Sequence, residues 1–90
     1  MSLAAATKRY LVMAMRTAHF SDEVIGPHLA FLDALRAEGK LHMTGGFSDG
    51  TGGAYVLDVG SLEEAQALVA TDPLAISDAS VLTVYEWNTR

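Results

Sequence analysis

Residues 9–15 read RYLVMAM, and their pattern governs the fold. In a strand, successive side chains point to opposite faces. Tyr10, Val12 and Ala14 then share one face, and Leu11, Met13 and Met15 the other. A strand of an antiparallel sheet with one wet face alternates apolar with polar residues. This one is apolar on both sides, so both faces of its sheet are expected to be covered. Ninety residues supply one layer of helices. The second cover is most simply another copy of the chain, and a homodimer is expected.

The remaining elements follow outward from that strand. Residues 27–38, PHLAFLDALRAE, put His28, Phe31, Leu32 and Leu35 on one side of a helix at a period of about 3.6 residues. Pro27 suits a first helical turn, where its missing N–H is not needed. Ser21-Asp22 offers an alternative, earlier turn that Gly26-Pro27 interrupts. Gly39 is a natural stop. A short second strand is expected over 41–46, a turn-rich loop over 47–53 (FSDGTGG) and a third strand over 54–59. Ser61 and Glu64 form a capping box for a second helix with Leu62, Ala65 and Val69 as its apolar stripe and Leu68 beside it. Residues 81–87, VLTVYEW, close the chain as a strand. The order β-α-β-β-α-β predicts an α+β, ferredoxin-like domain over 8–90. Its four strands form one antiparallel sheet with both helices on a single face. Residues 1–7 are expected to be a loosely ordered terminus.

Connectivity places the chemically interesting residues together. If the first strand runs up, it ends near Arg16 and the first helix begins at the same end with His28 in its first turns. The second strand also ends there, at Gly45-Gly46, and the second helix delivers Asp72 to that end. Arg16, His28, the segment 45–53 and Asp72 are thus expected on one rim.

Composition removes several function classes. The net charge is −5, and no basic cluster exceeds Lys8-Arg9, so nucleic acid and anionic membranes are not expected partners. There is no cysteine, which excludes disulfides and thiolate metal sites and suits a cytoplasmic protein. No stretch approaches the roughly 20 apolar residues of a membrane span, and the start lacks the order of a secretory signal. His19 and His42 lack the spacing of metal ligands, so no metal site is expected. The glycines at 50, 52 and 53 match no phosphate-binding loop and read as a hairpin connection, a candidate lid. Trp87 fits either a dimer seam or a pocket wall.

The chain resembles the YciI-like (YCII-related) family of small bacterial proteins. The residues that carry the likeness are His28-Leu29, Leu32, Leu35, Glu38-Gly39-Lys40-Leu41, Gly45-Gly46, Ser61-Leu62-Glu63-Glu64-Ala65 and Asp72-Pro73. The resemblance implies a dimeric ferredoxin-like α/β fold, a dimeric α/β barrel-type assembly, and a histidine–aspartate active pair. On this chain that pair is His28 and Asp72. There are two departures. Ile25 stands where many relatives carry an arginine, which removes an anion-binding group, and Phe47 follows Gly46 where many have proline.

Each candidate has a structural reading beside the functional one. His28 is a satisfied, half-buried core histidine, a group that moves protons or, least favoured, a metal ligand. Asp72 before Pro73 is an ordinary N-cap of a short turn through Ile76. It serves as cap and active group together if a carboxylate oxygen is free. The expected activity is that of a small cofactor-free acid/base enzyme of lyase or isomerase type. The Asp72 carboxylate fixes the His28 tautomer, and Arg16, Gly45 and Gly46 line the substrate site. A mainly apolar pocket fits a small aromatic or enol-like substrate. The alternative is a non-catalytic small-molecule-binding or regulatory module on the same dimeric fold. A cofactor-free monooxygenase is a third class, but it calls for a more polar or aromatic pocket. A ring and carboxylate within hydrogen-bond reach favour the enzyme.

Overall fold

A computed structural model describes residues 7–90. The strands are β1 (Thr7–Arg16), β2 (Leu41–Gly46), β3 (Gly52–Leu57) and β4 (Ser80–Thr89), and the helices α1 (Ile25–Ala37), α2 (Leu62–Val69) and α3 (Pro73–Ile76). The strands form one antiparallel sheet in the order β2-β3-β1-β4. This is the ferredoxin-like arrangement that the element order predicts. Most of the loose terminus expected over 1–7 lies outside the described residues, and Thr7 already opens β1.

Alternation along β1 sorts the sheet into two faces. Tyr10 and Val12 are buried, and their partners across the ladder, Leu57 and Tyr55, are buried with them. Leu32 and Leu35 of α1 and Ala65 and Val69 of α2 complete this core, so both helices pack on the same face. A smaller cluster of Ala14, Val24, Leu74 and Ala79 closes the end of the fold where α3 meets β1 and β4. The opposite face carries Met15, Val81, Tyr85 and Trp87, all exposed.

The helix ends follow from local chemistry. A 3₁₀ turn over Asp22–Val24 runs directly into α1. The early turn at Ser21-Asp22 therefore exists, but Gly26-Pro27 does not interrupt the helix. Pro27 is the third helical residue, where an N–H has no partner within the helix. Gly39, at φ +75°, ends α1 with its N–H on the Arg36 carbonyl. Ser61 Oγ accepts from the Glu64 N–H at 3.1 Å. The Glu64 carboxylate reaches back to the Gly60 N–H at 3.1 Å, one residue earlier than a standard capping box.

Three boundaries differ from expectation. β1 and β4 are longer than 9–15 and 81–87 because ten residue pairs join them, from Thr7–Thr89 to Arg16–Ser80. The third strand spans Gly52–Leu57 rather than 54–59. Gly52 and Gly53 belong to the ladder, opposite Met15 and Ala14. A Cβ on Gly52 would collide with the Ala14 carbonyl oxygen, so glycine here permits close pairing instead of breaking the strand. The far end stops early because Asp58 leaves the ladder. Its N–H donates to the Lys40 carbonyl, and its carboxylate takes the Arg9 guanidinium at 2.8 Å. The connection between β2 and β3 is a tight turn in which Asp49 accepts from both the N–H and the hydroxyl of Thr51. Those bonds hold the exposed Asp49 carboxyl below its ordinary range, the hydroxyl bond most strongly.

The cap at Ser61 is expected to carry measurable stability. Ser61→Ala should lower the unfolding free energy by about 1 kcal/mol. Urea titration followed by circular dichroism checks this, and an unchanged midpoint would show that the Gly60–Glu64 bond suffices alone.

Candidate active site

The site grows from Asp72. Its backbone is extended (φ −64°, ψ 130°) and Pro73 begins α3, so Asp72 is the N-cap of that short helix. Its Oδ1 accepts from the Leu74 N–H at 2.9 Å. Packing of α3 against α1 and β4 draws the whole side chain inside, with no accessible surface.

Two side chains from other elements meet this carboxylate. His28, in the first turns of α1, places Nδ1 2.9 Å from Asp72 Oδ1. Tyr55, pointing inward from β3, donates its hydroxyl to Oδ2 at 2.8 Å. Neither oxygen is left without a partner. Oδ1 serves cap and imidazole together, so one carboxylate does both jobs without a free oxygen. Burial raises the Tyr55 phenol well above its ordinary value of 10.0, and the Asp72 charge and hydrogen bond push it further. Tyr55 therefore stays a neutral donor. The imidazole ring lies beside Phe31 (centroids 6.4 Å apart) and Tyr55 (6.0 Å). One edge is tied to Asp72, and Nε2 has no protein partner among the described residues.

His28 lines a cavity of about 300 Å³ between α1 and the sheet, near the lower end of the range for ligand pockets. The cavity exists because a row across the sheet lacks side-chain bulk. Ala14 of β1 faces Gly53 of β3, which faces Gly46 of β2. Strand backbone forms a flat floor there. Ile25, Leu29 and Leu32 of α1 form an apolar roof. Arg16 stands at the side, its guanidinium 4.0 Å from the centre of the Phe20 ring.

His28, Arg16, Gly45 and Gly46 thus line one cavity, and Asp72 sits behind His28 rather than at the cavity surface. Ile25 offers only an apolar surface at the roof. His42 is elsewhere, 3.6 Å from Asp58. Among the described residues no three His, Cys, Asp or Glu side chains are arranged to hold a metal ion, and no helix is long and apolar enough to cross a membrane. Trp87 lies on the open sheet face, away from this cavity. Sequence reasoning missed Tyr55. The available signal was an inward-facing tyrosine in a strand, since a buried phenol needs a partner for its hydroxyl.

An α+β ferredoxin-like domain with a histidine at a pocket between its first helix and its sheet defines the structural class. The chain belongs to the YCII-related domain family, whose model matches residues 7–88. It is 49% identical over 81 residues to the uncharacterized protein YjpA of Bacillus subtilis (strain 168), covering 90% of this chain and 95% of that one. Among solved structures it is similar to 5-chloro-2-hydroxyhydroquinone dehydrochlorinase (TftG) from Burkholderia phenoliruptrix AC1100, in complex with 2,5-dihydroxybenzoquinone. The TM-score is 0.69 at 21% identity, over 89% of this chain and 93% of that one, which establishes a shared fold. A weaker likeness, TM-score 0.48 at 16% identity, is to the hydroxynitrile lyase of Passiflora edulis, over 92% and 94% of the two chains.

Tyr55→Phe tests the buried carboxylate. It leaves Oδ2 of Asp72 without its donor and should destabilise the protein by about 1–3 kcal/mol at neutral pH. The folded phenol holds its proton more tightly than the unfolded one. Stability from this group is therefore full below pH 10 and falls as pH rises through the alkaline range. Urea titrations at several alkaline pH values should show a weaker pH dependence for Tyr55→Phe than for wild type. Equal slopes would contradict the assignment.

Proposed function

We propose that the protein is a small acid/base enzyme of lyase or isomerase type, with His28 as the proton-transfer group and Asp72 as its positioning residue. The observation that carries this is the 2.9 Å contact between His28 Nδ1 and the buried Asp72 carboxylate. A carboxylate accepts hydrogen bonds, so it selects the tautomer with the proton on Nδ1 and the lone pair on Nε2. Nε2 is then a base for a proton on a carbon or hydroxyl of the substrate. When it takes that proton, the nearby carboxylate offsets the positive charge on the ring. The same nitrogen returns the proton at a second position or to a leaving group. The Tyr55 and Leu74 bonds hold the carboxylate still during this exchange. Asp72, with no accessible surface, takes no part in direct contact with substrate.

The cavity supports a small, flat, largely apolar substrate. Its volume of about 300 Å³ suits a single ring, and its floor is strand backbone with little side-chain relief. Arg16, Gly45 and Gly46 are the proposed substrate-binding residues, with Arg16 available to an anionic group. The dehydrochlorinase that shares the fold acts, by its name, on a chlorinated hydroxyhydroquinone. Such a compound is a reasonable first probe for this chain.

Chloride release from 5-chloro-2-hydroxyhydroquinone, and solvent deuterium uptake by small enolisable ketones and phenols, should reveal activity in the wild type. His28→Ala should lower the rate about 10²- to 10⁴-fold, and Asp72→Asn should lower it while keeping much of the α3 cap. Variants that fold but turn over as fast as wild type would remove the acid/base reading. Saturable binding with no turnover across the panel would favour a ligand-binding module.

A second copy of the chain is the proposed cover for the open sheet face. The helices of the described chain all pack on the other face, and the open one exposes Met15, Val81, Tyr85 and Trp87. Exposed apolar patches mark interaction surfaces. Light scattering during size exclusion should give twice the chain mass of 9.6 kDa. Tyr85→Asp should shift the equilibrium toward monomer, and a monomeric wild type at micromolar concentration would overturn the proposal.

A further inference from the structure

Ser80 is a buried polar residue that the acid/base reading leaves without a task. It opens β4 directly opposite Arg16 of β1, so the two side chains leave the same face of the sheet as neighbours. The residue is 7% exposed. Its hydroxyl has no hydrogen-bond partner among the described residues, yet it is not among fully sealed polar atoms either. A hydroxyl held in this way keeps accessible surface and has its hydrogen-bonding capacity open to a ligand. Ser80 lines the His28 cavity together with Arg16, although it also borders an open groove between α2, α3 and β4. The pairing with Arg16 connects it to the cavity. Arg16 is itself uncommitted, since no carboxylate among the described residues pairs with it. Its guanidinium carbon lies 4.0 Å from the centre of the Phe20 ring, and its N–H groups make no hydrogen bond among the described residues.

We propose that Ser80 and Arg16 together bind an oxygen anion carried by a flat, apolar-bodied substrate. The Ser80 hydroxyl donates one hydrogen bond and the guanidinium supplies charge and further donors. The anion is a phenolate, enolate or carboxylate oxygen, and His28 addresses a second position of the same molecule. This rests on the acid/base reading of the cavity and narrows its substrate to acidic, oxygen-bearing compounds. Ser80 then determines specificity. A site that hydrogen-bonds an oxygen rejects the analogue lacking it far more strongly than an apolar wall rejects an extra methyl group.

Amide-shift titrations with benzoate, phenol and toluene test this on wild type, Ser80→Ala and His28→Ala. In the wild type, benzoate or phenol should shift the amides of Ala14, Gly46 and Ser80, and the tighter of the two tells carboxylate from phenol oxygen. Ser80→Ala should weaken that probe about tenfold, the effect of losing a hydrogen bond to a charged group, and leave toluene unchanged. Its melting temperature should match wild type, because the hydroxyl has no intramolecular bond to lose. Equal affinity of Ser80→Ala and wild type for both oxygen-bearing probes overturns the proposal. So does an equal loss of toluene, which would mean packing, or a lowered melting temperature, which would mean a structural hydroxyl. Absence of binding by all three probes at millimolar concentration also overturns it. The two readings fail separately. If His28→Ala retains turnover while Ser80→Ala loses benzoate or phenol, anion recognition stands without the acid/base role. If Ser80→Ala binds normally while His28→Ala loses turnover, the reverse holds.

Discussion

One carboxylate organises this end of the molecule. Asp72 accepts from the α3 backbone, from the α1 imidazole and from the β3 phenol, so a single buried charge ties two helices to the sheet. Burial of an ionisable group is tolerated where hydrogen bonds replace the lost water. Here one donor is local, the Leu74 N–H of the cap, and the other two, His28 and Tyr55, come from elements that also meet in the apolar core. Removing the Tyr55 hydroxyl leaves Oδ2 unmet in a dry environment, where an unpaired acceptor is expensive, whereas Oδ1 has two donors. The arrangement therefore specifies geometry as well as contributing to stability.

The cavity has a complementary origin. Where Asp72 gathers groups, the row Ala14–Gly53–Gly46 withholds them, and α1 passes over strand backbone instead of side chains. Gly53 of that row also lets β2 pair closely, since a Cβ there would collide with the Gly45 carbonyl oxygen. Packing elsewhere in the sheet is dense, with Val12, Leu57 and Tyr55 almost completely enclosed. A pocket next to a rigid core keeps its walls fixed, and the imidazole at its edge is held by Asp72 and walled by Phe31 and Tyr55. Such pre-positioning is what proton transfer requires of a base.

Much of this was legible in the residues alone. Element order and the ferredoxin-like sheet followed from the strand at 9–15, apolar on both faces, the capping pair Ser61 and Glu64, and the stop at Gly39. Helical periodicity turned His28 inward, and Asp72-Pro73 announced a cap. Connectivity then brought Arg16, His28 and Gly45-Gly46 to one rim, where the cavity is found. Local signals failed where a residue has two physical uses. Gly52 and Gly53 looked like loop residues, but the close approach of β1 at Gly52 and of β2 at Gly53 makes them strand residues.

The sequence by itself determined which faces are apolar, where helices begin and end, and which residues share an end of the fold. These are properties of a few neighbouring residues, and periodicity reports them. Only the tertiary structure decided that Asp72 meets both His28 and Tyr55, 44 and 17 residues away in the chain, and that Ser80 stands beside Arg16. Hydrogen bonds act within a few tenths of an ångström. That precision depends on how α1, α3 and β3 pack together, and no local pattern in any one of them contains it.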